Sequence, residues 1–514
     1  MKRIVNIKFL TALVVLFVMA SSCTKDFEEM NTDPNNPSTD LAAPEMLLTN
    51  IIESTTDRTH EIFLGHEMGN CWVQHMAKVQ YTDEDRYIYR TGVINTTWNS
   101  FYYASGMDAV TLYQVAKARS HDNYKGIAMT MIVYNTSVLT DMFGDIPYTE
   151  AWRAGVADGG ILSPKYDTQE SIYRDIVKKL DTANMLITVD GSAIAGDIMF
   201  NNDLLKWKKF TNSMRMRLLM RMSSKDAAYV TAELTKMVGD PAKYPVFESN
   251  ADNAQLVYLG SAPNNNPINE NRKTRDDHRV SKTLIDVMWV NNPNVDYRVT
   301  VYANKPSAGG FWEGMPNALT SAKALAYLDN GLTKTSKIGD YFTAATCPGV
   351  LMSYAELQFI LSEGVYKGLI TGAPKTAKQY YEAGIYGSYY QYSPDILTKS
   401  KAAGIGVKTN WTVDSLAANY IAKGGAAWDA AKAMEKIGTE KWLAMFEQGL
   451  QSSFETRRIG FPVLVAGEDN ENGGKIPVRF PYPTDEYAKN PTNVAAAVTA
   501  QGKDDLNTKV WWNK

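Results

Sequence analysis

Residues 123–142 read NYKGIAMTMIVYNTSVLTDM, and Gly144-Asp145-Ile146-Pro147 follows at once. Apolar residues recur there at the three- and four-residue spacing of an amphipathic helix, and the glycine and proline close it. The same grammar extends on both sides. Upstream, Pro44 to Thr55 opens with proline in a first turn, Ile62 to Val79 follows, and Ile94 to Ala118 is a long periodic run. Downstream, Gln169 to Thr188 and Asp203 to Ser223 continue the series. Helix after helix predicts a mainly α fold built as a helical-repeat solenoid, although no fixed repeat period is visible.

The middle of the chain changes character. Asp240 to Ser281 and Asn291 to Pro348 carry the polar run Pro263-Asn264-Asn265-Asn266-Pro267 and the pair Gly309-Gly310, which predict a large, irregular, loop-rich insertion. Helices are expected again at Ser353–Lys367, Ala373–Tyr392, Val413–Ala422 and Ala426–Phe454, the last broken at Ile437-Gly438-Thr439. Gly473 to Tyr487 alternates prolines with apolar residues and reads as extended chain packing back on the body. Helical repeats thus occupy 41–239 and 353–454, the irregular region 240–352, and an extended tail 455–514.

A chain of 514 residues exceeds the usual single core, so its length allows two or three domains or one long helical array. Its net charge of −3, with 21% charged residues, gives no basic excess and no sign of a nucleic-acid partner. Aromatics are plentiful, with 11 Trp, 29 Tyr and 16 Phe, which suits stacking on sugars or nucleobases and equally suits tight helix packing. Besides Cys23, only Cys71 and Cys347 remain, either as one disulfide or as buried thiols.

The first residues are an export signal. Lys2, Arg3 and Lys8 precede the apolar run Phe9–Met19, and Ala20-Ser21-Ser22-Cys23 is a small-residue cleavage site closed by cysteine. The apolar run is too short to anchor in a bilayer, which takes about 20 residues. A cysteine at that point resembles the lipobox of bacterial lipoproteins, whose thiol is lipidated. Residues 1–22 are then a signal peptide, Cys23 the lipidation site, and 23–40 (CTKDFEEMNTDPNNPSTD) a polar, flexible tether to a globular part over 41–514.

Several separated stretches resemble one family. Asn31-Thr32-Asp33-Pro34-Asn35 follows the lipobox, and Asp141-Met142-Phe143-Gly144-Asp145-Ile146-Pro147-Tyr148 ends a helix. Tyr354 to Glu363 (YAELQFILSE), Lys441 to Gly449 (KWLAMFEQG) and Arg457 to Pro462 (RRIGFP) follow, then Ile476 to Pro483 (IPVRFPYP) and the closing Val510-Trp511-Trp512. Ser362 and Gly364 depart from a more usual alanine-rich form. In this order the landmarks resemble the SusD/RagB family of outer-membrane glycan-binding lipoproteins, from residue 23 to 512. The resemblance implies tetratricopeptide-like helix pairs carrying an irregular ligand-binding region. It also implies a lipid-anchored cell-surface protein that captures oligosaccharide for a SusC-type TonB-dependent outer-membrane barrel, binds without cleaving, and uses no cofactor or catalytic residue. Peptide-capturing members of the family set the main alternative, and an exported hydrolase using Glu356 and a second carboxylate is a third.

Glycan recognition needs flat apolar faces for the pyranose C–H surface, with amide, carboxylate and guanidinium groups for the hydroxyls. The turn Gly309 to Asn317 (GGFWEGMPN) sets Phe311 and Trp312 between glycines, a context that favours exposure. Trp72, Gln74, Tyr81, Asp276, Asp277, Arg279 and Asn317 complete the candidate site. Trp72 also fits an apolar helical stripe, and Arg279 also fits a pair with Asp276 or Asp296. Trp98, Trp207, Trp442 and Trp511 read as packing residues. Glu356 and Glu363 lie two turns apart on one helix face and read as partners for Arg457, Arg458 or Arg479. His60, His66 and His75 lack the spacing of a metal helix, and a nucleophilic Cys71 with His75 would need an orienting group that the sequence does not name.

Overall fold

The structure, a computed structural model, describes residues 42–155, 159–290, 295–423 and 425–514. The signal segment, Cys23 and the tether lie outside the described residues. Helices dominate the first half: α1 (Pro44–His60), α2 (Thr91–Asn99), α3 (Ser105–Ala118), α4 (Asp122–Phe143), α5 (Gln169–Leu186), α6 (Leu204–Arg221) and α7 (Ala227–Gly239). From α3 to α7 each packs on its chain neighbour, the pattern of stacked repeats. Side chains fix their starts. Thr168 accepts from the Ser171 amide at α5 and Asp203 from the Lys206 amide at α6, satisfying donors the helix cannot.

The second half contributes α8 (Tyr354–Tyr366), α9 (Ala377–Gln391), α10 (Asp395–Ala402), α11 (Val413–Lys423), α12 (Ala433–Ala444) and α13 (Gly449–Ile459). Ser353 caps α8, and Thr376 with Gln379 forms a capping box that starts α9 four residues later than the periodicity suggests. The halves meet where α6 packs on α8.

Four readings change. The run Ile62–Val79 is a π-helix only to Asn70; beyond it Met76–Lys78 leaves the helical path as strand β1. The run 94–118 contains a π-helical segment, Ser100–Ala104. The break in 426–454 falls at Met445–Gln448, where Glu447 takes φ +69°, because Gly438 instead lies inside α12 close to Ile459 and Phe461. The C-terminal tail is extended only in part: Thr484–Lys489 and Pro491–Gln501 form helices α14 and α15, the second starting on proline and running through alanines.

Between the halves, 240–352 holds one- and two-turn helices and short strands. β1 pairs antiparallel with β5 (His278–Val280), with Ala77 opposite Arg279, and β4 (Ala254–Leu256) pairs with β6 (Gly349–Met352). β2 (Ile146–Pro147) pairs with β3 (Tyr166–Asp167). One apolar cluster fills α1–α7 and the C-terminal segment; another fills the irregular region against α8, α9 and α12. Each fully buried apolar side chain contributes roughly 1.5–3 kcal/mol. Cys71 and Cys347 are buried free thiols, so the disulfide alternative drops out.

The landmark motifs converge on the core. The Asp141 carboxylate is fully buried and accepts from Tyr173 Oη at 2.5 Å, Trp512 Nε1 at 2.7 Å and the Arg221 guanidinium. Gly144 holds φ +85° with the Gln501 amide against it, where a Cβ would overlap that side chain. Gly449 lies so close to the Asn70 backbone that a side chain there would part α13 from the π-helix. Phe480 N–H donates to Met142 O and Tyr482 Oη to Asp145 O, so the Pro-rich stretch is sewn to the end of α4.

Candidate binding cleft

β1–β5 pairing brings 71–87 beside 275–286, and an isolated bridge from Ser281 to Met315 adds the Gly309–Asn317 turn. Three separated candidate stretches therefore meet. Where they meet lies an open cleft of about 520 Å³, lined by Gln74, Lys282, Thr283, Asp286, Asn317, Lys323, Tyr327 and Glu468 among others, with Leu319, Val465 and Ala466 giving it apolar surface. Its rim carries strained backbone: Gln74 has φ +57° and Ala318 φ +56°, a conformation residues with a Cβ rarely hold unless the surroundings impose it.

The surroundings here do impose it. The Gln74 amide donates to Val465 O at 2.6 Å and accepts from Thr283 Oγ1 at 2.6 Å, tying the two walls together. Asn317 is saturated: its amide donates to Met76 O (2.6 Å) and Asp85 Oδ1 (2.7 Å) and accepts from Ser281 Oγ (2.5 Å). Both line the cleft, as the sequence led us to expect of a site, yet they position it and have little left to offer a ligand. Groups the sequence reading missed face the opening. Lys282 pairs with Asp286 at 2.6 Å, Lys323 reaches Glu468 at 2.7 Å and Asp469 at 2.6 Å, and the Tyr327 hydroxyl donates to Glu313 at 3.3 Å. Burial, with the Glu313 charge, pushes Tyr327 up to about 12, so it enters the cleft as a neutral donor and acceptor. Lys282, Asp286, Lys323 and Glu468 carry no local sequence signal, and only the fold assembles them.

The expected aromatic pair divides. Trp312 is 4% exposed, donates its indole N–H to Ala303 O at 2.9 Å and packs edge-on to Trp289, so it is a core residue and corrects the expectation of exposure. Glycine neighbours gave the turn its path, but the indole found a backbone acceptor inside. Phe311 does stand out, 58% exposed, stacked on Trp289 with ring centroids 5.1 Å apart and Lys305 over its face. Trp289 follows Asp286 by one turn on the π-helical segment Asp286–Val290.

The remaining candidates split between surface and interior. Trp72 is buried, its indole donating to Glu84 O, so it is core. Tyr81 is exposed with the Arg275 guanidinium 4.1 Å above its ring. Asp276 pairs with Lys337, Arg272 and Arg279. Arg279 is buried and donates to the carbonyls of Asp276, His278 and Leu332; it is a backbone staple and contributes no free guanidinium. Asp277 is buried in a charge cluster with Arg275, His278 and Lys78.

That cluster underlies the strand pair. Lys78 is fully buried and bonds Glu67, with Asp277 at 3.3 Å and Glu84 at 3.9 Å. Burial, opposed by Lys78 and aided by the Glu84 charge, raises Glu67 to about 7. Burial and the Lys78 charge hold His278 down at about 3, hence neutral. Burial also raises Asp85 to about 6 despite the Asn317 hydrogen bond.

The other chemistry considered from sequence dissolves. Glu356 is buried and takes both Arg217 nitrogens at 2.7 and 2.6 Å, so Arg217 replaces the arginines expected; Glu363 takes Arg458 at 2.7 and 2.5 Å, as expected. Neither is offered to a substrate. His60, His66 and His75 serve separate contacts, with the Val350 amide, Glu447 and Trp442 O. Among the described residues no group of three His, Cys, Asp or Glu side chains is arranged to hold a metal, and no helix is long and apolar enough to cross a membrane. Trp98, Trp207 and Trp442 are buried in the core, and Trp511 packs on Tyr173.

A model of the SusD-like proteins, described as starch-binding associating with outer membrane, matches residues 34–483. Among solved structures, a chitin-binding protein is 26% identical with a TM-score of 0.75, spanning 92% of this chain and 100% of its own. A SusD homologue from Bacteroides fragilis is likewise 26% identical, TM-score 0.75, spanning 92% and 99%. A chitin-binding SusD homologue from Flavobacterium johnsoniae, 22% identical over 92% and 98% with a TM-score of 0.72, shares the fold. No curated protein matches the chain.

Proposed function

The chain belongs to the SusD-like family of starch-binding, outer-membrane-associated proteins, and from that premise we propose that it captures an oligosaccharide in the cleft between Gln74, Thr283, Asn317 and Glu468 and hands it on unbroken. The observation that carries this reading is a cleft with apolar surface and hydroxyl, ammonium and carboxylate groups in its walls, together with an exposed stacked aromatic face at Phe311 on the turn that runs to Asn317. A sugar ring needs both kinds of surface. The cleft's own structure supports binding over cleavage, because its amides are locked and its carboxylates are paired with lysines. Chitin and starch, named for the relatives, are the first ligands to try. Lipidation at Cys23, exposure at the cell surface and delivery to a SusC-type TonB-dependent barrel complete the proposal; a tether over 23–40 would let the domain move over such a barrel while remaining anchored.

One feature favours a second reading. Among the described residues lining the cleft, Tyr327 is the one aromatic side chain, and the walls are charged, which suits the backbone and charged side chains of a peptide. Isothermal titration of the full chain in detergent with maltohexaose, chitohexaose, cellohexaose and an unstructured peptide mixture separates the two. Phe311→Ala and Glu468→Ala are each expected to weaken the hexasaccharide about tenfold with an unchanged melt. Heat from peptide alone would overturn the glycan reading.

A further inference from the structure

A second cleft, of about 540 Å³, opens elsewhere on the molecule and shares no lining residue with the first. It lies where α8 and α9 meet the loop 248–251, and it is built from rigid parts. Tyr354 is the first residue of α8; Tyr386 and Tyr390 stand four apart on α9 and so share one face. Gly387 lies between them, with its missing Cβ position 2.8 Å from the Tyr354 ring, so the helices close on each other there and the three rings are held around one opening. Tyr390 is 45% exposed, and Tyr354 and Tyr386 are half-buried. Tyr354 and Tyr386 pack one side on the core, while Tyr390 stands free of it.

The polar groups of this cleft are incompletely used. The Asn250 amide nitrogen donates to Gly387 O at 2.8 Å, which fixes the side chain, while its Oδ1 is buried without a partner. A fixed, unpaired amide acceptor costs about 1–3 kcal/mol unless something donates to it. Glu248 is strongly exposed and bound at one oxygen to Lys209, and the Asp414 charge lies near the Tyr390 hydroxyl beside the cleft. A hydroxylated ring with an apolar face fits each of these: C–H groups against tyrosine, one hydroxyl donating to Asn250, others to the carboxylates. An apolar ligand would leave the acceptor unpaired, and an anion would meet Glu248 and Asp414.

We propose that the cleft formed by Tyr354, Tyr386, Tyr390 and Asn250 is a second carbohydrate-binding site, taking a single pyranose unit of an oligosaccharide on the helical scaffold, away from the irregular region. Two separated sites would hold one long chain at two points, raising its retention through effective concentration.

The test titrates the full chain in detergent with the same three hexasaccharides, in wild type, Tyr390→Ala, Tyr386→Ala/Tyr390→Ala and Phe311→Ala forms. Tyr390→Ala, at the exposed ring, is expected to leave the melt unchanged, and it carries the test if the double variant lowers the melt. In a Phe311→Ala background, residual hexasaccharide binding at about millimolar strength that falls at least tenfold on adding the tyrosine changes supports the second site. Incorporation of 3-fluorotyrosine gives an independent readout, with the resonances of Tyr386 and Tyr390, assigned by their loss in the variants, moving on addition of that sugar. Resonances that stay fixed with all three sugars overturn this site and leave the first cleft standing. Binding in Phe311→Ala as strong as in wild type, with both resonances still moving, removes the first cleft and leaves this one.

Discussion

Two buried charge clusters in this molecule each enclose a glutamate, and the two glutamates are shifted in opposite directions. In the helical scaffold, Arg221 bridges Asp141 and Glu455, Arg458 grips Glu363 with both nitrogens, and Lys441 reaches Glu455 at 2.6 Å. Burial would raise Glu363, but the Arg458, Lys367 and Lys441 charges outweigh it and hold the carboxyl at about 2. Beneath β1 and β5, Lys78 is shared among Glu67, Glu84 and Asp277, with Arg90 also on Glu84 and Arg275 on Asp277, and Glu67 Oε2, Glu84 Oε2, Asp277 Oδ1 and His278 Nε2 are buried without a hydrogen-bond partner. There Glu67 rises to about 7. Where the planar Arg458 meets Glu363 and Glu455 the ions are stabilised; where Glu67 depends on the shared point charge of Lys78, burial wins.

The contrast is sharpest on removing a cation. Arg221→Ala leaves two buried carboxylates without their main partner and is expected to cost roughly 3–5 kcal/mol in denaturant unfolding, a loss that pH above 5 does not relieve. Lys78→Met should cost about 3 kcal/mol at pH 8 and less at pH 6, because Glu67 can take up a proton. A pH-independent loss would show that the two clusters work alike. Glu67→Gln should change stability at pH 8 by about 1 kcal/mol or less, and should flatten its pH dependence.

That dependence has a definite sign in each region. Glu67 is raised, so the folded state binds its proton more tightly and its contribution falls as pH rises from 4.5 towards about 7. Glu363 is lowered, so its contribution is present above 4.5 and lost as pH drops towards about 2. Stability measured from pH 2 to 8 should therefore rise through the acid range and decline on the neutral side, the decline vanishing in Glu67→Gln. The smallest effect belongs to the surface: Phe311→Ala should shift stability by about 0.5 kcal/mol or less while affecting glycan binding.

The helical region was legible from sequence and the cleft only in part, for one physical reason. Helical periodicity, caps and the landmark stretches report burial, which is local: Asp141, Gly144, Gly449 and Arg458 are recognisable because the packing around them tolerates little else. The cleft depends on long-range strand pairing that places Gln74 beside Thr283 and Val465, and no local pattern announces it. Asn317 in its turn and Gln74 in the run read as helix were named as amides able to bond hydroxyls, yet their hydrogen bonds are spent on the walls. Lys282, Asp286, Lys323 and Glu468 were missed because single surface charges carry no signal. Trp312 shows the converse error, since glycine-flanked tryptophan reads as exposed until a backbone carbonyl such as Ala303 O lies within reach of its indole.

The closing tryptophan has a consequence for the making of the protein. Asp141 lies in the first third of the sequence, but one of its donors is the indole of Trp512. A nascent chain folding from its N-terminus carries an under-satisfied carboxylate in its interior until the 512th residue arrives. A chain that ends before Trp512 keeps Asp141 with Tyr173 and Arg221 alone, one hydrogen bond short at a buried carboxylate, at an expected cost of about 1–3 kcal/mol.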